Sequence, residues 1–186
     1  MSEYDDLRKH YRPKHIKLLL IAESPPPGKA EIPSSRHFYR ADQERREDRL
    51  FTNTVKALYP EAAEQTETQI QPNKEAWLRR MQADGVYMIE ALEESQRHKV
   101  TKDERQERIG AALPRLIKRV QELAEADTKL ILIKSNVFEV AAEPLRAAGF
   151  DVLNTELVDY PGRFNQRDYR EKLEALGSPV IRSSKK

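Results

Sequence analysis

The side chains best placed for chemistry are Glu23 and Ser24, where an apolar run from Ile16 to Ala22 breaks into Pro25-Pro26-Pro27-Gly28. A carboxylate at such an exit could orient a water, accept a proton or support a developing positive charge. A serine hydroxyl beside it needs a partner base before it can act. Phe38 and Tyr39 lie further along the same connection and could stack on a planar ring, worth roughly 1–3 kcal/mol per base in nucleic-acid complexes. Lys29, Arg36 and Arg40, with Arg163 and Arg167 near the C-terminus, could hold phosphates. Two further places pair polar groups with aromatics or strand ends: Glu90 after Gly85-Val86-Tyr87-Met88-Ile89, and Asp159-Tyr160 with Asn165-Gln166. Each has a plainer reading. Glu23 could solvate a strand end or cap a helix, Phe38 and Tyr39 could anchor a satellite core, and Glu90 could open a helix.

Elements that can position these groups follow from the apolar pattern. Ile16–Ala22 is apolar at nearly every position, as suits a strand covered on both faces of a parallel sheet. Three prolines cannot continue the ladder, so the chain leaves the sheet at Glu23 or Ser24. Tyr4, Leu7 and Tyr11 give residues 2–12 a weak helical face, ended by Pro13. Asp42–Leu58 reads as a helix with Leu50, Phe51, Thr54, Val55 and Leu58 as its stripe, stopped by Tyr59-Pro60. Pro72-Asn73 opens a short helix carrying Trp77, Leu78 and Met81, of which Trp77 reads as core. Gly85–Ile89 is a second strand. Residues 93–102 read as a surface loop.

Thr101-Lys102-Asp103-Glu104 fits a capping box for a long helix through Ala124, which Pro114 should kink or divide. Lys129–Ile133 and Phe150–Leu153 complete the strands, with a helix capped by Asn136-Val137-Phe138-Glu139 between them and ended by Gly149. Asn165–Leu176 is a last helix, and the tail after 178 is expected to fray. Strands alternating with helices predict a three-layer α/β/α domain over residues 1–186, with about four mostly parallel strands. The strand ends and their loops then converge on the carboxyl edge, where such sheets bind ligands.

Composition excludes several classes. The chain has 186 residues and no cysteine, which removes disulfides, thiolate zinc sites and iron–sulfur clusters. His10, His15, His37 and His98 lack ligand spacing, so no metal is expected, and no cofactor either. Walker, dinucleotide and nucleophile-elbow motifs are absent. Charged residues make up 34% of the chain but nearly cancel to +2, a balance that does not announce a nucleic-acid binder yet leaves room for local phosphate contacts. No apolar run could span a bilayer and nothing at the N-terminus resembles a signal peptide, so a cytoplasmic location and no membrane partner are expected; a monomer is one option, and the sequence leaves the oligomeric state open.

The order of these features resembles the uracil-DNA glycosylase superfamily. Ala22-Glu23-Ser24-Pro25 stands where that family has its short water-activating loop, some branches having a glutamate at the place of Glu23. Phe38 matches the aromatic that stacks on the extruded base. Leu50-Phe51 matches a following aromatic-bearing helix, and Gly85–Ile89 the second core strand. Tyr160-Pro161-Gly162 stands where a His-Pro-Ser type motif contacts the base and intercalates.

The resemblance implies the fold above and a base-excision hydrolase acting in DNA repair. Glu23, Ser24 and Tyr160 would be its catalytic groups. Phe38, Tyr39 and Asn165 would contact the base, Phe164 would be the wedge, and Arg36, Arg163 and Arg167 would hold phosphates, with DNA as partner. Ser24 replaces the aspartate or asparagine that usually orients water, and Tyr160 replaces the histidine. A non-catalytic member binding nucleic acid, a nucleotide or a protein is the alternative, and a small-molecule enzyme on an unrelated sheet is a more distant one.

Overall fold

In the computed structural model, residues 3–28, 34, 36–41, 48–96 and 100–183 are described. The elements run α1 (Glu3–His10), β1 (Leu18–Ala22), α2 (Arg49–Leu58), α3 (Glu67–Ile70), α4 (Lys74–Asp84), β2 (Val86–Glu90), α5 (Lys102–Leu123), β3 (Lys129–Leu132), α6 (Ser135–Ala147), β4 (Asp151–Val152) and α7 (Gln166–Arg182). The chain is an α/β protein whose four strands are all parallel, in the order β2-β1-β3-β4.

Helices flank the sheet because its central strands have no polar face to offer water. Leu18, Leu19, Leu20 and Ile21 are fully buried, each worth about 1.5–3 kcal/mol relative to exposure. On one side α2 packs against α7, which lies on β1 and β3. The other pair, α5 and α6, pack together, with α6 against β3 and β4. The chain steps from β1 to β2 in one direction and then crosses to β3 on the far side of β1. That reversal puts a crevice between the carboxyl ends of β1 and β3.

Several expected boundaries shift for identifiable reasons. Residues 42–47 of the expected Asp42–Leu58 helix lie outside the described residues; Asp48 caps α2, accepting from the Phe51 N–H at 3.1 Å. The Thr101/Glu104 capping box forms as expected. Pro114 does not divide α5, which runs unbroken to Leu123. The carbonyl a proline ring crowds is that of residue i−4, here Gly110, the residue with the freest backbone.

Asn136 does not cap α6; Lys134 does, and Asn136 turns its amide elsewhere. β4 shrinks to Asp151–Val152, while Ile133 adds a bridge to Val158. The last helix continues beyond Leu176 to Arg182, because Ile181 and Ser178 are buried and hold it down, so the fraying expected after 178 does not occur at residues 179–182. Residues 184–186 lie outside the described ones. No described helix is long and apolar enough to cross a membrane.

Candidate functional site

A cleft of about 600 Å³ opens at the carboxyl edge, over the ends of β1, β2 and β3. Its volume suits a nucleotide-sized ligand. Of the residues singled out in the sequence, Glu23, Ser24, Arg36, Phe38, Tyr160 and Glu90 all line it. Pro25, Pro26 and Pro27 form one wall. The Tyr4 hydroxyl of α1 ties that wall down, donating to the Pro26 carbonyl at 2.8 Å and accepting from the Ser34 N–H at 3.1 Å.

Glu23 sits at the crevice between β1 and β3. Its side chain is 4% exposed and is held by the Arg105 guanidinium at 2.5 Å, the Lys134 ammonium at 2.9 Å and the Asn136 amide at 2.8 Å. Burial alone would push its carboxyl up, but the donors from Asn136, Lys134 and Arg105 outweigh that and hold it below the ordinary value. Glu23 is therefore an anion at neutral pH, and a weakened base. It is neither a free strand-end solvator nor a helix cap.

Lys134 reaches Glu23 from a backbone at φ 82°, ψ 142°, a conformation that non-glycine residues avoid. Its N–H donates to the Val158 carbonyl at 2.8 Å, and its own carbonyl accepts from Val137 and Phe138 of α6, at 3.1 and 3.0 Å. These bonds over-determine a strained residue at a strand exit, a pattern that clusters at functional sites.

Two other carboxylates line the cleft, and each is neutralised from behind. Glu90, 4% exposed, is bonded by Arg8 of α1 and lies 3.2 Å from His37 Nε2. Burial raises its carboxyl, yet the His37 hydrogen bond and the charges of Arg8 and Arg119 bring it below the ordinary value. Asp48 accepts from the Lys74 ammonium at 2.7 Å, and that ammonium also donates to the His37 carbonyl. Tyr160, 40% exposed, has its phenol raised by partial burial and by the Asp48 charge, so it stays protonated and can donate.

Phe38 forms floor rather than an open platform. It is 3% exposed and meets Phe51 and Tyr39 edge-on, with centroids 5.4 and 5.2 Å away. Tyr39 does not reach the cleft. Its hydroxyl accepts from the Met88 N–H at 2.6 Å and donates to the Met88 carbonyl at 3.1 Å, sealing the open side of edge strand β2. Asn165 donates to Asp159 at 3.0 Å and is exposed. Arg167 pairs with Glu171 at 2.7 Å. Phe164 is 88% exposed beneath the Arg163 guanidinium, 5.6 Å from its ring centroid. None of these five lines the cleft. Arg40 does not line it either, and Lys29 lies outside the described residues.

Sequence reading missed Arg105, Lys134, Asn136, Asp48 and Arg8. Lys134 had a usable signal, since it follows the apolar run Lys129–Ile133 just as Glu23 follows its own. Arg105 and Arg8 had none, because which helical turn meets a carboxylate depends on packing. Among the described residues no group of three or more His, Asp and Glu side chains is arranged to hold a metal ion. Compared with protein families, curated proteins and solved structures, the chain has no match.

Proposed function

We propose that the chain is a DNA base-excision protein that takes one extruded nucleotide into the carboxyl-edge cleft and hydrolyses its N-glycosidic bond. The observation that carries this is the meeting of Glu23, Phe38 and Tyr160 on one cleft of nucleotide size. The base rests on the cleft floor to which Phe38 contributes. As the bond from C1′ to the base nitrogen breaks, its electron pair leaves with the base and the sugar becomes cationic. The Glu23 carboxylate supports that charge, and the neutral Tyr160 phenol donates to the departing base. Water then adds to C1′ and releases its proton to solvent. Exposed Arg36, with Arg163 and Arg167 outside the cleft, provides cations for the phosphodiester backbone.

The test is a panel of duplexes each holding one uracil or other altered base. Excision leaves an abasic site, read as an alkali-labile strand break, and Glu23→Gln lowers its rate by about 10²-fold or more. Duplexes that remain intact at high protein concentration sink the catalytic reading.

A second reading, binding without turnover, is favoured by the donors on Glu23. Arg105, Lys134 and Asn136 draw on both of its oxygens, which lessens the charge available to a sugar cation. In that case the protein retains the duplex, leaves it intact, and Glu23→Gln barely changes retention.

A further inference from the structure

The cleft sorts its charges by depth. Its acids, Glu23, Asp48 and Glu90, are 4–5% exposed, whereas Arg105 and Lys134 keep a quarter to a third of their side chains in solvent and Arg36 is exposed. The rim thus suits anions and the depth suits hydrogen-bond donors. An ionised carboxylate accepts only, and among the described residues each oxygen of Glu90 and Asp48 takes one donor: Arg8 and His37 on the one, Phe51 N–H and Lys74 on the other. By lone-pair count each oxygen can accept one more.

Resting on the nucleotide reading above, we propose that the cleft selects a base with a guanine-type edge, a ring N–H beside an exocyclic amine, over a uracil-type edge. The two parallel N–H groups of guanine meet both oxygens of one carboxylate, as the guanidinium fork does. Uracil offers a single N–H flanked by two carbonyl oxygens, and docking it against a carboxylate sets acceptor against acceptor. Leaving buried acceptors opposed is costlier than merely losing a bond. Glu90 and Asp48 are the acceptors, because Glu23 already takes three donors. In the excision setting the substrate class is a purine that keeps this edge while its other ring is altered.

Calorimetric titration of the unmodified protein with guanosine, inosine, 1-methylguanosine and uridine tests this without a variant that could misfold. Guanosine is expected to bind at least about fivefold tighter than uridine, the lower end for one bidentate pair. Inosine, lacking the amine, falls between them, and 1-methylguanosine loses the preference. Glu90→Gln and Asp48→Asn form a second arm, and at least one of them narrows the gap between guanosine and uridine. Uridine bound as tightly as guanosine overturns the edge preference while leaving the nucleotide reading intact. No binding of any of the four overturns both.

Discussion

Replacing Arg8 with methionine isolates what holds one of the cleft's buried acids in place. Arg8 and Glu90 have side chains 4% and 5% exposed, and Glu90 is bonded by the arginine from α1, far away in the chain. Methionine fills similar volume and removes the charge. Breaking a buried pair from one side costs about 3–5 kcal/mol, because the remaining ion stays uncompensated. The lower end applies here, about 3 kcal/mol, since His37 still bonds Glu90 and the charge of Arg119 still acts on it. Asp5, the other partner of Arg8, is 26% exposed and adds little.

The loss carries a pH signature. With its main cation gone and its burial unchanged, Glu90 titrates higher in the folded variant. The deficit is full at neutral pH and narrows as acid protonates Glu90. Urea denaturation at pH 5 and pH 7 reads both quantities, and adding Glu90→Gln should return most of the stability. A loss under about 1 kcal/mol at pH 7, or an equal loss at both pH values, would refute this reasoning.

Other consequences follow from named contacts. Tyr39→Phe strands the Met88 N–H and carbonyl and should cost about 1–3 kcal/mol in urea, without altering the cleft lining. Lys134→Gly should be less destabilising than Lys134→Ala by about 1 kcal/mol or more, because glycine tolerates φ 82° where alanine does not. In both the ammonium on Glu23 is lost, so their difference reports the relief of backbone strain less the larger unfolded-chain entropy of glycine. Glu23 and Glu90 both titrate below the ordinary value of 4.5 in the folded protein. Their contribution is present above that pH and is lost as acid takes them through their folded values, so an acid titration of stability should fall from about pH 4.5 downward and flatten in Glu23→Gln.

The strands could be read from sequence because their cause is local. An apolar run such as Leu18–Ala22 with prolines behind it has few alternatives, and its exit residue Glu23 is fixed with it. The side-chain cap at Thr101 and Glu104 was equally legible, whereas the Asp48 cap that starts α2 was not. What sequence could not supply was partnership. Tyr39 stands next to Phe38 and looks equivalent to it, but its hydroxyl satisfies the free edge of β2 while Phe38 faces the cleft. Arg105 is one of many arginines along α5, and only the packing of α5 over the strand ends brings it to Glu23. Asn165 and Arg167 stood beside Tyr160 in the chain, yet the turn into α7 carries them to the surface. Neighbours in sequence part company wherever a turn intervenes, and the site is assembled from residues more than eighty positions apart, as Glu23 and Arg105 are.

The most direct measurement is a structure of the Glu23→Gln variant bound to a duplex carrying one altered base. The expected result is a nucleotide swung out of the helix, its base over Phe38 and beside Tyr160, with the backbone phosphates along the Arg36 side of the cleft. A duplex lying elsewhere on the protein, with every base still stacked and the cleft unfilled, would contradict the nucleotide reading at its root.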